Sequence, residues 1–192
     1  MTDPGLSRER IVDVAERIVR SDGVEALGLR GLGRELGVTA PALYGYVENL
    51  EDLRRALAER QFGALMARFD EVAAQDPAER VRALSRAYID YSLDEPNLFK
   101  VLFLYPPDVG GTGVEHELPM ATKVFLAAAE PLERGIASGE FAATDAAAAS
   151  LAVWAAVHGC ATALSLDFGF DQTGVDRLVD DVLDMVIAGL RG

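Results

Sequence analysis

The sequence has few of the residues that build chemical sites. It contains one cysteine, Cys160, and only two histidines, His116 and His158, among 192 residues. A single cysteine excludes an intrachain disulfide, which fits a reducing cytoplasm. No spacing of His, Cys or carboxylates matches a metal site, and no glycine-rich phosphate loop is present. We therefore expect no metal, no cofactor and no enzymatic activity.

Basic residues are also scarce, because 18 Lys and Arg face 31 Asp and Glu and give a net charge of -13. This balance is unusual for a DNA-binding protein, since neutralising phosphates takes Lys and Arg. The acids lie mostly in the C-terminal part: residues 1–60 are almost neutral, while residues 61–192 carry the excess. Affinity for DNA is expected to be modest for one N-terminal part and to depend on pairing two.

β-Branched and aromatic residues are sparse, whereas alanine and leucine dominate a chain that is 50% hydrophobic. This composition predicts an all-helical protein with a sizeable core. The longest apolar stretch, Ala146 to Leu166, lacks Lys/Arg-rich flanks, and we interpret it as a buried helix of a soluble protein. Met1 to Ser7 shows no apolar run behind a basic start, so no signal peptide and a cytoplasmic location are expected.

Helical periodicity predicts about nine helices, with Ser7 and Thr39 as N-caps and Gly33 at a close helix-helix approach. The predicted helices are Leu6–Ser21, Leu29–Leu36, a short one over Ala40–Tyr46, Asn49–Val72, Pro77–Asp94, Leu98–Tyr105, Glu117–Ser138, one from Thr144 or Asp145 to Asp167, and Val175–Leu190, with a loop over 106–114.

The segment from Leu29 to Leu53 reads as a helix, a tight turn at residues 37–39 and a very short second helix. That is the helix-turn-helix plan, in which the second helix enters the major groove with its N-terminus first. The segment LRGLGRELGVTAPALYGYVENLEDL resembles the N-terminal part of TetR-family repressors. The resemblance extends over about residues 6–57. It implies a three-helix DNA-binding head at residues 1–50 and a helical effector-binding and dimerisation body at residues 51–192.

By this resemblance, Arg30 touches a base or a phosphate and Tyr44 reaches the phosphate backbone. The full set of DNA-binding residues that it implies is Arg30, Thr39, Ala40, Pro41, Ala42, Tyr44, Gly45 and Tyr46. The sequence departs from the family at Leu50, where members commonly carry a phosphate-binding lysine. Glu48 adds a negative charge nearby. These departures predict weaker binding that relies more on phosphate contacts and DNA shape.

Two segments of the body, WAAVHG (Trp154 to Gly159) and EPNLFKVLF (Glu95 to Phe103), resemble one large subgroup of the family. Such C-terminal domains bind small molecules between their helices. The ligand-binding residues implied in this way are Tyr88, Tyr91, Phe103, Phe125, Trp154 and His158. Each of them is also suited to plain core packing, with a backbone carbonyl as the partner of His158.

The eighth predicted helix is rich in alanine, and the last has an apolar stripe opposite an acidic face. In the family these two helices pair with their twofold mates, which implies a homodimer on palindromic double-stranded DNA. We therefore predict a TetR-like regulator, interpreted as a repressor that a small, mostly apolar effector releases from DNA. The alternatives are a ligand carrier or enzyme with a vestigial head, and an acidic protein-interaction module. Exposure of Tyr44, Arg30 and the N-terminus of the second helix together on one face of the dimer would favour DNA, and burial of that face against the body would favour a protein partner.

Overall fold

The computed structural model describes residues 5–105, 118–166 and 168–192, and within these ranges it contains helices and no strand. The all-α fold class is confirmed. The helices are α1 (Arg8–Asp22), α2 (Leu29–Leu36), α3 (Ala40–Leu43), α4 (Leu50–Asp70), α5 (Pro77–Asp94), α6 (Pro96–Leu102), α7 (Pro119–Ser138), α8 (Ala146–Leu164) and α9 (Gln172–Arg191), with a 3₁₀ turn at Val24–Ala26. The loop expected at 106–114 and the predicted helix ends at Glu117 and Asp167 lie outside the described residues.

Side-chain caps set five of the described helix starts, and one of them is the Ser7 cap that the sequence predicts. The Ser7 side chain accepts a hydrogen bond from the Arg10 N–H, and Asn49 accepts one from Asp52 in the same way. Such caps satisfy amide groups that a helix leaves without internal partners. Asp171 caps α9, which therefore begins before the predicted Val175.

Three other local predictions are wrong. Helix α3 ends at Leu43 rather than Tyr46, because the chain tightens there into a turn in which the Tyr46 N–H donates to the Leu43 carbonyl. Helix α6 ends at Leu102, and the next residues up to Tyr105 form turns. Thr39 occupies the N-cap position of α3, but its side chain makes no capping hydrogen bond.

The head is a compact unit in which α1 packs on α2, and α2 packs on α3. Its core includes Ile11, Leu32 and Leu43, all fully buried. Gly33 permits the close approach that the sequence predicts. A β-carbon there would lie 2.8 Å from the Val38 carbonyl oxygen, which belongs to the turn between α2 and α3.

Helix α4 joins the head to the body. It packs on α1 and also on α5, α6 and α7, and it carries fully buried leucines along its length at Leu53, Leu57 and Leu65. One buried apolar cluster consequently runs without interruption from Leu6 in the head to Leu183 in α9. The position of the head is therefore tied to the packing of the body.

Helix α8 is the one helix of the described chain whose length and apolar composition would allow it to cross a membrane. Only 28% of its apolar window is buried inside the chain. The expectation of a buried helix is therefore wrong for the single chain, because α8 packs on α5, α7 and α9 along one side only. Its other side exposes mostly small residues, among them Ala152, Ala155 and Gly159.

We expect Gly33→Ala to destabilise the protein by about 1–3 kcal/mol, because the new methyl group meets a backbone oxygen that cannot rotate away. Gly31→Ala in the same helix is the matched control, since nothing lies within 4 Å of its added carbon. That change should stabilise by up to about 1 kcal/mol through helix propensity. Urea unfolding of both variants measures the difference, and equal shifts in the midpoint would contradict the packing role of Gly33.

Candidate functional site

The short helix α3 and its neighbours form an exposed surface at one end of the head, and we call Arg30 together with residues 39–46 the reading surface. Tyr44 is 57% exposed. The other exposed members are Arg30, Thr39, Pro41, Ala42 and Gly45, whereas Ala40 and Tyr46 are half-buried. Most of the residues expected at a DNA contact are thus accessible in the chain.

Buried apolar side chains anchor the reading surface to the core of the head. Leu43 and Val47 point into the core of the head, and both are almost fully buried. At the far end, one guanidinium nitrogen of Arg8 donates to the Tyr46 carbonyl at 2.9 Å, and the group makes two bonds of 2.8 and 2.7 Å to the Asp52 carboxylate. The Arg8 side chain holds the pKa of Asp52 below its ordinary value, so this carboxylate is ionised at neutral pH.

The charge around the reading surface is sparse. Leu50, at the position of the family lysine, is half-buried and packs against the main core. Glu48 is exposed beside it, and its backbone N–H donates to Asp52 at 3.0 Å. Arg30 is consequently the only basic residue among the residues of the reading surface, Arg30 and 39–46.

Helices α4, α5, α6, α7 and α8 of the body form a cavity of about 440 Å³ that is partly open to solvent. Its lining is dominated by aromatic and branched aliphatic side chains. The lining residues are Phe62, Leu65, Phe69, Leu84, Ser85, Tyr88, Leu102, Phe103, Ala121, Val124, Phe125, Ala128, Leu132, Ser150, Leu151, Val153, Trp154, Val157 and His158. A concave apolar site of this size with a few polar groups is typical of small-molecule sites.

Five of the six residues expected at a ligand site line this cavity, and Tyr91 does not. The Tyr91 side chain is buried behind the lining, where its hydroxyl donates to the Gln61 side-chain oxygen at 2.8 Å. Tyr88 lies three positions earlier on α5 and reaches the cavity instead. Helical spacing places both tyrosines near one face of α5. Their surroundings differ because Tyr91 packs against Gln61 of α4, whereas Tyr88 faces the cavity.

An aromatic cluster stands at one wall of the cavity. The Trp154 and His158 rings stack almost parallel, at 4°, with centroids 5.1 Å apart, and Phe103 lies 4.4 Å from the His158 ring. Phe99 supports the cluster with edge contacts to Tyr88 and Phe103. Because Trp154 and Phe103 are also partly exposed, the cluster lies between the cavity and solvent.

His158 has side-chain hydroxyls as partners rather than the backbone carbonyl considered from the sequence. Its Nδ1 lies 3.4 Å from the Tyr88 hydroxyl, and its Nε2 lies 3.4 Å from that of Thr162. Burial lowers the pKa of His158, so its ring is neutral near pH 7. Burial also raises the pKa of Tyr88, against a smaller opposite effect of a hydrogen bond from Trp154. Both side chains therefore face the cavity uncharged.

Sequence reasoning named no lining residue on α4. Phe62, Leu65 and Phe69 line the cavity, and they follow the same helical spacing as core residues. The spacing of apolar residues shows which side of a helix faces inward, but it carries no information about whether an opposing helix fills the space. No sequence signal of ours distinguishes these residues from core.

Three comparisons relate the chain to known proteins. A family model for the tetracyclin repressor-like C-terminal domain matches residues 81–190. The chain is 28% identical over 187 residues to the uncharacterized HTH-type transcriptional regulator Rv0681 of Mycobacterium tuberculosis, a match that covers 97% of this chain and 82% of that protein.

Solved structures share the fold along almost the whole chain. A protein of unknown function from Rhodococcus sp. RHA1 has a TM-score of 0.77 and 27% identity, and the match covers 98% of this chain and 97% of the other. A TetR protein of Acinetobacter baumannii in complex with minocycline has a TM-score of 0.70 and 22% identity, with 97% and 99% covered. Since the family model spans more than half of the sequence, the chain belongs to the TetR family of transcriptional regulators.

Proposed function

We propose that this protein is a homodimeric, cytoplasmic DNA-binding repressor without catalytic activity, which leaves its operator when a small, mostly apolar effector enters the cavity. In this proposal residues 1–50 form the DNA-binding domain and residues 51–192 the effector-binding and dimerisation domain. One observation carries it: the reading surface, with Tyr44 and Arg30 exposed together, is not covered by the described body.

The chemistry of the reading surface favours phosphate contacts over hydrogen bonds to bases. In our proposal the Arg30 guanidinium and the Tyr44 hydroxyl bind phosphate oxygens, and Thr39 adds a hydroxyl at the start of α3. Ala40, Pro41 and Ala42 offer only apolar contact, for which a thymine methyl group is the suitable partner. Gly45 and Tyr46 complete the surface. Specificity would then depend strongly on DNA shape.

The route from cavity to head runs through α4 and α6. Helix α4 contributes Phe62, Leu65 and Phe69 to the cavity lining and packs against α1 at its other end. Helix α6 contributes Leu102 to the lining and packs against α1 as well. An effector that fits the cavity better in one arrangement of these helices shifts the population towards it, and the two heads then no longer match adjacent major grooves.

The exposed sides of α8 and α9 are proposed as the dimer interface. Small residues on α8, among them Ala152 and Ala155, allow another helix to approach closely, and Met185 on α9 exposes two-thirds of its side chain. Pairing these sides about a twofold axis would bury them in a four-helix bundle.

The alternative of an acidic surface that binds a protein partner is less well supported. Much of the acidic face of α9 is already paired inside the chain with arginines of α5. Arg86 donates to Asp176 at 2.9 Å and lies 3.9 Å from Asp180, and Arg82 pairs with Asp184. These carboxylates stabilise the packing of α9 on α5 and are less available to another protein.

We expect Arg30→Ala and Tyr44→Phe to weaken binding to the operator. Arg30→Ala should also reduce the salt dependence of binding by about one counterion, since one phosphate contact is lost. Tyr44→Phe removes one hydrogen bond to a charged oxygen, and a loss of roughly ten-fold is expected. Fluorescence anisotropy with DNA from the upstream region of the gene, titrated with salt, measures both effects.

Lys123→Ala on an exposed position of α7 is the matched control for charge, because it also removes one positive charge but lies outside both the reading surface and the proposed dimer interface. It should leave the affinity and its salt slope almost unchanged. Equal losses in the Arg30 and Lys123 variants would mean that overall charge, and not the reading surface, governs binding.

Leu50→Lys should strengthen DNA binding and increase the salt slope by about one, because it restores a phosphate-binding cation at the start of α4. Leu50→Met controls for the loss of packing, since Leu50 contacts the core and Met is similar in volume. Anisotropy titrations of the two variants are compared. An affinity of the Lys variant no higher than that of the Met variant would show that this position does not face the phosphate backbone.

Ala155→Arg should convert the dimer to a monomer, because a long charged side chain would be placed on the exposed small-residue side of α8. Ala67→Arg, on an exposed position of α4, is the control and should remain dimeric. Sedimentation velocity gives the oligomeric state, and circular dichroism checks that each variant is folded. A dimer in both variants would place the interface elsewhere.

A further inference from the structure

The described lining of the cavity carries no formally charged side chain. Its polar groups are two serines, Ser85 and Ser150, together with Tyr88, His158 and the indole of Trp154. A charge moved from water into such surroundings loses its hydration without gaining a partner, which costs far more than burying a neutral polar group. The lining therefore discriminates against ligands with a formal charge.

The polar groups that remain available gather at one place. Ser150 is satisfied within its own helix, since its hydroxyl donates to the Ala146 carbonyl at 2.7 Å. Tyr88 and His158 are only loosely bonded to each other, at 3.4 Å, near the upper limit for a hydrogen bond. Ser85 lies about one turn before Tyr88 on α5 and lines the same cavity. Together Ser85, Tyr88 and His158 form what we call the polar pole.

Flat aromatic surfaces lie next to the polar pole. The stacked pair of Trp154 and His158 and the adjacent Phe103 present ring faces and edges within a few ångströms of each other. Phe125, Phe62 and Phe69 line the cavity as well. Aromatic rings pack well against another flat ring in offset or edge-to-face geometry, which adds to the gain from burying apolar area.

We propose that the effector is an uncharged aromatic molecule with fused rings and one hydroxyl or carbonyl group, which binds at the polar pole. This inference rests on the proposed function, in which the cavity is the effector site. The ring system packs on Trp154 and Phe103. Its polar group replaces the long contact between Tyr88 and His158 with a shorter hydrogen bond to the Tyr88 hydroxyl.

The protonation states agree with this recognition. Near pH 7 Tyr88 keeps its proton and donates, while the neutral ring of His158 offers one donor and one acceptor nitrogen. A ligand hydroxyl or carbonyl therefore finds a complementary hydrogen-bonding group. A ligand carboxylate would find hydrogen-bond donors but no cation among the described lining residues.

Calorimetric titration of the full chain near neutral pH with naphthalene, 2-naphthol and 2-naphthoate tests the inference, because the three probes share one ring system and differ in one group. We expect 2-naphthol to bind about five-fold more tightly than naphthalene, the gain of one net hydrogen bond. We expect 2-naphthoate to bind at least about thirty-fold more weakly than 2-naphthol, because its charge is buried without a counterion.

Tyr88→Phe should abolish the advantage of 2-naphthol over naphthalene while leaving the affinity for naphthalene unchanged. Tyr91→Phe is the matched control: it removes the hydroxyl of a tyrosine that lies on the same helix but outside the cavity lining, and the advantage should persist. An advantage that survives Tyr88→Phe would overturn the assignment of the polar pole.

Binding of 2-naphthoate as tight as that of 2-naphthol, or no binding of any probe, overturns the inference. Failure of the proposed function is measured separately, by anisotropy with operator DNA and no probe present. A protein that binds its operator specifically but prefers the carboxylate contradicts only the neutral-ligand inference, whereas one that binds no DNA specifically contradicts the repressor function itself.

Discussion

The structure depends on the junction at which α1 meets α4 and α6. Arg8 binds Asp52 at the start of α4, and Arg60 in the middle of α4 lies 2.6 Å from Asp13 and 3.1 Å from Glu16 of α1. These contacts fix the helix that supports the reading surface to the helix that lines the cavity.

The end of α1 is joined to α6 as well. The Arg20 guanidinium lies 2.9 Å from the Glu95 carboxylate, and the Asn97 side-chain amide donates to the Arg20 carbonyl at 3.1 Å. These charged groups are partly exposed, and such pairs contribute only about 0.2–1 kcal/mol each. Most of the stability of the junction must therefore come from the apolar cluster that continues from head to body, while the ion pairs fix the relative position of the helices.

Helix α4 is closely packed at the junction but borders unfilled space at the cavity. Near the head its leucines are fully buried, as close packing requires. Further along, Phe62 and Phe69 face a space of about 440 Å³ that no described side chain fills. Unfilled apolar space forfeits dispersion contacts and lowers stability. A ligand that fills it recovers those contacts, so binding and the arrangement of α4 are energetically linked.

Much of the architecture follows from local sequence. Apolar periodicity, with the Ser7 cap, predicts nearly every helix, because caps and one-sided burial act within a few residues. Gly33 is likewise identifiable from its place before the turn at residues 37–39. The exposed reading surface also agrees with the sequence, whereas its DNA contacts remain proposals.

What the sequence determined by itself is therefore the helical fold, the family and the order of the elements, since these depend on spacing along the chain. Only the tertiary structure decided that Tyr88 lines the cavity while Tyr91 pairs with Gln61, and that α8 leaves most of its apolar length not fully buried. It also decided that arginines of α5 pair with Asp176 and Asp184 of α9. The physical reason is that a helical pattern fixes the direction in which a side chain points, whereas its neighbours are residues far away in sequence. The space left between packed helices depends on several helices at once, so no single segment of the sequence predicts it.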